Sequence, residues 1–501
     1  MNSRLCWFSF RSRFWVYDII KNMEKLYITT TLPYVNAEPH IGHALEFVQA
    51  DAIARYFKKK LGTENVFFNV GTDEHGQKIW DKAQEEGVSV QDFVDKYSQR
   101  FKDYCKLFFV EYDNFYRTSD KEHVKVVHDF WNACKASGDI YKKRYVGKYC
   151  IGCERYMTEK ELVDGKCPDH DRVPEERDEE NYFFSLSKYK KDLLKWLDEN
   201  PDVLKPKQKL GELKKIIEEI EDISISRLKK NLSWGIEVPN DPEHVVYVWF
   251  DALANYVAAV GYGTDEKKFN EWWPGIQFFG PDNLRFQAVI WQGMLKSAGL
   301  AHSKRLLEHG MILASDGRKM AKTLGNVISP FEQEEKYGAE IVRFYLLTGI
   351  STFSDSAYKE DDLVNMYNSR LANNFGNLLN RVIHLANSKD VEINNEEAVE
   401  KEFKEQVDEY RKDIEGLYEE CEIALAGEKI DELADWGNKY ITEKEPWSKE
   451  VKLEDAEKIL NNLSYLLKVV IELYEPIVPV SSQKASEALS KREKIILFNK
   501  I

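Results

Sequence analysis

The sequence predicts an α/β fold: a doubly wound parallel sheet, split by an insertion and followed by an all-helical bundle. Three observations carry this. A strand, a helix and a second strand follow one another within residues 25–70, a Cys-, Gly- and Asp-rich segment interrupts the chain at 149–170, and beyond Ser354 the chain is Leu-, Lys- and Glu-rich with few glycines. A strand-helix-strand unit implies parallel strands, a right-handed crossover and a ligand crevice at the strand carboxyl ends.

In chain order, residues 1–22 are Arg- and aromatic-rich and nearly free of acids. They read as an upstream extension or edge-packing tail rather than a transit peptide, and lack the long apolar centre of a secretory signal. Residues 25–32 are β-branched and aromatic, a buried strand running into the turn residues Pro33, Asn36 and Pro39. A helix starts near His40, because Ile41, Leu45, Val48, Ala52, Ile53, Tyr56 and Phe57 recur at helical spacing, and Gly62 stops it. Residues 66–70 form the next strand. Helical segments reach to about residue 138, the Cys-rich knuckle follows, and more helix follows that. Sheet elements return at 245–250 and 277–279, separated by a helix and the Trp272-Trp273-Pro274 loop. The expected divisions are an extension (1–23), the first half of the sheet domain (24–138), an insertion (139–240), its second half (241–354) and a helical bundle (355–501).

Bulk properties narrow the function. With 501 residues, the chain is long enough for two to four domains at roughly 150 residues each. Its 43% hydrophobic and 31% charged content is that of a globular protein, and no stretch approaches the ~20 apolar residues of a membrane span. Seven cysteines scattered along the chain make no disulfide framework and point to the reducing cytoplasm. A net charge of -15 has the wrong sign for coating nucleic acid by counterion release, so RNA contact must be local and shaped.

Three constellations carry chemistry. In Pro39-His40-Ile41-Gly42-His43, two histidines three apart share the first helical turn, and Gly42 lets a ligand approach the backbone. Free amides and the helix dipole attract phosphate there, with the imidazoles as donors to transition-state oxygens. An isolated pair of this kind would be ordinary surface; the strand-turn-helix setting argues otherwise. Lys319-Met320-Ala321-Lys322-Thr323 lies between Ser315-Asp316-Gly317-Arg318 and Leu324-Gly325-Asn326. Alone it would be a solvated charge cluster, but two lysines on a glycine-flanked loop can close over pyrophosphate. Cys150, Cys153, Cys167 and His170 form two ligand pairs with two-residue spacers, a closed tetrahedral set for one structural Zn2+.

These motifs identify a resemblance. His40-Ile41-Gly42-His43 and Lys319-Met320-Ala321-Lys322-Thr323 look like the HIGH and KMSKS signatures of class I aminoacyl-tRNA synthetases, with Ala321 and Thr323 standing where the usual form has serines. The knuckle resembles the connective-peptide zinc site of the methionyl-tRNA synthetase family. Leu32-Pro33-Tyr34-Val35-Asn36, Gly71-Thr72-Asp73-Glu74-His75-Gly76, Ile223-Ser224-Ile225-Ser226-Arg227 and the run from Tyr247 through Trp249 to Leu253 resemble that family's own blocks. Together the likeness covers about residues 24–480.

The resemblance implies a Rossmann-like catalytic domain, a connective-peptide insertion and an all-α anticodon-binding domain. It also implies roles. His40, Gly42, His43, Gly280, Asp282, Lys319 and Lys322 would bind ATP, with His40, His43, Lys319 and Lys322 catalytic. Asp73 would hold the substrate ammonium, while Leu32, Tyr34, Trp249, Ala252, Tyr256 and Gln287 would line a methionine pocket. A thioether accepts hydrogen bonds weakly, so shape and sulphur-aromatic contact would select it. The family commonly has Lys at the Pro281 position and His at Gln287; a glutamine there can donate to sulphur or to Tyr256. Asn377, Arg381 and Trp447 resemble anticodon-reading residues: an amide and a guanidinium four apart on one helix, and a ring on which a base can stack.

The expected activity is methionine activation with ATP and Mg2+, followed by transfer to tRNA(Met), initiator tRNA included, by a cytoplasmic monomer without membrane contact. Two alternatives stand beside it. One is a class I synthetase for another amino acid, which would carry a large editing insertion or a catalytic zinc in the pocket; the other is a noncatalytic tRNA-binding relative, motivated by Ala321, Thr323 and Gln287.

Overall fold

The computed structural model describes residues 24–151, 155–157, 159–168, 171–320 and 325–501. Cys153, His170, Ala321, Lys322, Thr323 and the segment 1–22 therefore lie outside the described residues.

Strand β1 (Leu26–Thr29) is buried along its whole length, as its β-branched and aromatic residues require, and occupies the middle of a six-stranded parallel sheet. On one side lie β2 (Val66–Thr72) and β3 (Asn114–Arg117); on the other lie Ile276–Phe279, Arg305–Glu308 and, at the edge, Leu204–Lys205. The chain builds outward from β1 to β3, crosses to lay down the far edge strand Leu204–Lys205, and then fills in Ile276–Phe279 and Arg305–Glu308. The switch point thus falls between β1 and Ile276–Phe279.

Helix α1 (Ile41–Leu61) begins with His40 as N-cap and stops at Gly62, whose φ of +96° suits glycine and whose N–H returns to the Lys58 carbonyl. Its residues 44–57 are all buried, so α1 is covered on every side, including by Ala339–Thr348 and the later helices Lys401–Glu419 and Ile423–Lys444. Each fully buried Phe or Leu there contributes about 1.5–3 kcal/mol. One hydrophobic core runs without a break from the sheet through α1 into the carboxyl-terminal helices.

Between β2 and residue 138 the structure holds α2 (Gln77–Glu86), α3 (Val90–Leu107) and α4 (Lys121–Ala136), as expected, and also β3, which was not expected. Four half-buried residues between turns are too few to show a period.

After the knuckle the expected helix is replaced by a strand. β4 (Ile140–Cys150) and β6 (Glu175–Phe184) form a long antiparallel arm, flanked by β5 (Arg155–Met157) and Ile223–Ser224. Ring contacts on one face, Tyr141 and Tyr145 with Phe183 and Tyr145 and Tyr149 with Tyr156, join charge pairs and cation-ring contacts in holding it. Arg144 grips Asp178 at 2.7 and 2.8 Å, and Lys142 lies over the Tyr182 ring opposite it. The helices Lys190–Glu199 and Leu210–Glu219 come later.

Residues 245–250 are likewise not a strand of the main sheet. Asp241–Val246 pairs antiparallel with Ser226–Leu228 and Glu237–Val238, and a helix, Val248–Leu253, starts after Tyr247, whose N–H bonds the Ile225 carbonyl. A continuous apolar run carries no period, so tertiary pairing decides. Ile276–Phe279 and the preceding Trp loop are as expected.

Beyond residue 354 helices dominate, ending with Leu453–Tyr474 and Pro479–Lys491; Ser356–Ala357 is a short strand paired with Ile312–Leu313. Among the described residues, no helix is long and apolar enough to cross a membrane.

Candidate active site

The loop leaving β1 and the loop leaving Ile276–Phe279 are neighbours because their strands are neighbours. At the first loop's end, His40 Nδ1 accepts the Gly42 N–H at 3.1 Å and His43 Nδ1 accepts the His40 N–H at 3.3 Å. Because both Nδ1 atoms are acceptors, each neutral ring carries its proton on Nε2. The rings stack with centroids 3.7 Å apart. A Cβ on Gly42 would sit 3.0 Å from His40 Cε1, so only glycine leaves this arrangement undisturbed.

At the second loop, Gly280-Pro281-Asp282-Asn283 makes a tight turn, and both Asp282 oxygens meet Lys319 Nζ at 3.0 and 3.1 Å. Lys319 is held by a bridge to Leu313 and by the turn at Gly317, φ +79°. The pair is open to solvent, 60% and 71% exposed, so a ligand can displace it at small cost. Lys322 falls outside the described residues.

Between the two loops lies a pair that sequence reasoning missed. Glu46, buried on α1, accepts from Thr31 N at 2.6 Å and Thr31 Oγ at 2.5 Å, and meets His309 Nε2 at 3.2 Å. His309 Nδ1 donates to the Gly310 carbonyl. Burial lowers the His309 pKa, but the Glu46 carboxylate and that carbonyl outweigh it and the net shift is upward, toward an imidazolium. The one sequence signal is a carboxylate on the buried face of an apolar helix.

The residues expected around methionine fall into two groups. Tyr34 and Asp73 form a β-bridge, with Val35 N–H to Asp73 O at 3.1 Å and Asp73 N–H to Pro33 O at 2.9 Å, which puts Leu32 and Tyr34 beside Asp73. Trp249, Ala252 and Tyr256 lie on Val248–Leu253 and Asn255–Ala258; Trp249 stacks on Phe286 at 3.7 Å, and Tyr256 takes a 2.6 Å bond from Gln287. A buried clamp ties the groups together: Asp251 meets His75 at 2.7 Å and His123 at 2.5 Å. Burial raises the Asp251 pKa, yet the two histidines more than offset it, leaving it at about 2. Neither Asp251 nor His123 was singled out from the sequence, since their partners are far apart in it.

In the helical region Arg381 donates to Asn438 and Thr442, and its guanidinium lies 5.6 Å from the Trp447 ring. Asn377 is exposed one turn earlier, and Trp447 is 45% exposed. In the insertion, Cys150 and Cys167 are buried together with Met157. Among the described residues no group of three possible ligands gathers; Cys153 and His170 lie outside them.

Comparison with known proteins agrees with this geometry. The family model "tRNA synthetases class I (M)" matches residues 26–173 and 169–383, and "Anticodon binding domain of methionyl tRNA ligase" matches 389–497. The methionine–tRNA ligase of Thermotoga maritima is 39% identical over 483 residues, 94% of this chain and 76% of that protein.

This chain belongs to the methionyl-tRNA synthetase family.

The chloroplastic/mitochondrial methionine–tRNA ligase of Arabidopsis thaliana is 37% identical over 94% of the synthetase described here and 78% of its own length. Mycobacterium tuberculosis methionyl-tRNA synthetase, solved in complex with methionyl-adenylate, superposes with a TM-score of 0.86 at 32% identity, covering 93% of this chain and 94% of that one. The synthetase is therefore an aminoacyl-tRNA ligase with the class I sheet and a helical carboxyl-terminal region.

Proposed function

We propose that the synthetase activates L-methionine with ATP and transfers it to tRNA(Met), initiator tRNA included. The observation that supports the reading is that the strands leading to the stacked His40 and His43 rings and to the Asp282–Lys319 pair are parallel neighbours at the switch point of the sheet. The methionine carboxylate attacks the α-phosphorus of ATP in line, pyrophosphate leaves, and the terminal adenosine hydroxyl of tRNA then attacks the adenylate carbonyl, releasing AMP. The Nε2–H groups of His40 and His43 donate to phosphate oxygens. Gly42 and Gly280 give the nucleotide close access, Asp282 receives the ribose once Lys319 turns to phosphate, and Lys319 and Lys322 offset charge developing on pyrophosphate. Mg2+ accompanying the nucleotide supplies further positive charge.

Asp73 holds the ammonium, and Leu32, Tyr34, Trp249, Ala252, Tyr256 and Gln287 enclose the thioether. Asn377, Arg381 and Trp447 read the anticodon on a helical unit comprising residues 355–501. The scattered cysteines, with no disulfide framework, support a cytoplasmic setting, and we read the protein as a monomer.

A structural Zn2+ fits Cys150, Cys153, Cys167 and His170. In support, the Cys150 and Cys167 side chains are buried in one small cluster at the tip of the arm, where little else forms a core. Three thiolates and an imidazole would supply a closed ligand set, leaving no position for substrate. The metal would fold the tip and take no part in the reaction.

Exchange of labelled pyrophosphate into ATP tests the reading. It should require methionine, and Lys322→Ala should slow it by about 10²-fold or more. Exchange that answers to another amino acid, or to none, refutes the methionine assignment.

A further inference from the structure

Beneath Tyr256 lies a closed set of uncharged polar side chains: Gln277 on Ile276–Phe279, Gln287 on the π-helical turn Phe286–Ile290, Gln292 on Trp291–Ser297, and Ser303 just before Arg305–Glu308. All are at most 3% exposed. Buried amides of this kind persist only where their hydrogen bonds agree in direction, and here the direction follows from the main chain.

The Ser303 N–H can only donate, and it meets Gln292 at 3.0 Å; that atom is therefore the amide oxygen, Oε1. The other end of Gln292 lies 2.9 Å from the Gln287 carbonyl, which can only accept, so it is Nε2. The same Nε2 donates to Ser303 Oγ at 2.9 Å. The Ser303 hydroxyl hydrogen then goes to Gln277, fixing Oε1 there. Gln277 Nε2 faces Gln287 Oε1 at 3.4 Å, which leaves Gln287 Nε2 to donate to the Tyr256 hydroxyl at 2.6 Å. Tyr256 thus receives a hydrogen bond from Gln287, with Asn255 as its other polar side-chain neighbour, and its own hydrogen is left to be given. Burial holds the phenol far above its ordinary pKa, so that hydrogen is always present.

We propose that Gln277, Gln292 and Ser303 are positioning residues for amino-acid selection: they impose one polarity on the chain from the Ser303 N–H to Tyr256, so that the Tyr256 hydroxyl offers its hydrogen to the thioether sulphur and discriminates against an all-carbon side chain of equal length. The inference rests on methionine being the substrate.

Amino-acid-dependent pyrophosphate exchange, run with L-methionine and with L-norleucine, measures the effect. Tyr256→Phe removes the donor. Gln277→Met cuts the chain while keeping its shape, and Ser303→Ala frees Gln277 to turn, whereas Ser303→Thr keeps the hydroxyl. The first three should lower the methionine-over-norleucine ratio of kcat/KM by about three- to tenfold. In Gln277→Met and Ser303→Ala the change should appear in the KM for methionine, with kcat held and norleucine little affected; Ser303→Thr should retain the wild-type ratio. If Gln277→Met does not fold, Ser303→Ala with its threonine control decides. Methionine and norleucine falling in parallel at a constant ratio would overturn the polarity chain while leaving the activity intact. No methionine-dependent exchange by the wild-type protein would overturn both.

Discussion

His40 and His43 spend their Nδ1 atoms on main-chain N–H groups, so what each ring offers a phosphate is one neutral Nε2–H. Donors of this type matter where charge develops, and removing one from a preorganised site costs about 10²–10³ in rate. His43→Ala should therefore lower kcat for pyrophosphate exchange by that factor while changing the KM for methionine little, since methionine does not share the contact. Asp251 makes a different demand. Its folded pKa of about 2 lies below the ordinary 3.8, so its contribution is fully present above about pH 4 and disappears as pH falls through 2. At 1.36 kcal/mol per pKa unit this is roughly 2 kcal/mol. In denaturant melts from pH 5 down to pH 2, Asp251→Asn should remove that part of the acid-limb slope; equal slopes in the two proteins would mean that His75 and His123 do not hold the carboxylate charged.

Among elements, α1 carries the most consequence, because it connects the histidine turn to the carboxyl-terminal helices. Arg343, fully buried, donates to Asp51 on α1 at 2.6 Å and to the carbonyls of Phe108, Pro476 and Ile477; Arg55 joins the same Asp51 to Glu475. Arg343→Leu orphans three carbonyls and leaves buried Asp51 with one of its two guanidinium partners, so it should cost about 3–5 kcal/mol, visible as a lower first unfolding transition in calorimetry. The tip of the arm should bind about one zinc per chain by elemental analysis, and Cys150→Ser should lose it and render the arm sensitive to protease. α1 was legible to its last residue, because its apolar spacing, its capping histidine and Gly62 are all local. The β4–β6 arm was not: EERDEENYFF has no apolar alternation, and its strand character comes from pairing with the mixed cationic and aromatic residues of β4. The same reason hid Glu46 with His309, and Asp251 with His123, each a pair made across a long sequence interval. Motifs made of adjacent residues could be read; clamps made by folding could not.

For the whole molecule, the continuous core from sheet to carboxyl-terminal helices implies one mechanical body on which two recognition surfaces are set apart. The histidine turn and Asp282–Lys319 follow the strands at the sheet's switch point, whereas Arg381 and Trp447 lie on the helical region. On the proposed reading adenylate formation uses only the first surface, and tRNA charging uses both. With a net charge of -15, general attraction contributes nothing to holding the tRNA, so local stacking and hydrogen bonding must. A base stacked on an aromatic ring is worth about 1–3 kcal/mol, or roughly 5- to 150-fold in binding. Trp447→Ala should thus lower kcat/KM for tRNA(Met) by about that factor, Arg381→Ala should do the same, and neither should alter methionine-dependent pyrophosphate exchange. Loss of exchange in Trp447→Ala, in a protein that still folds, would show that the helical surface governs the chemistry of the sheet and would refute the separation argued here.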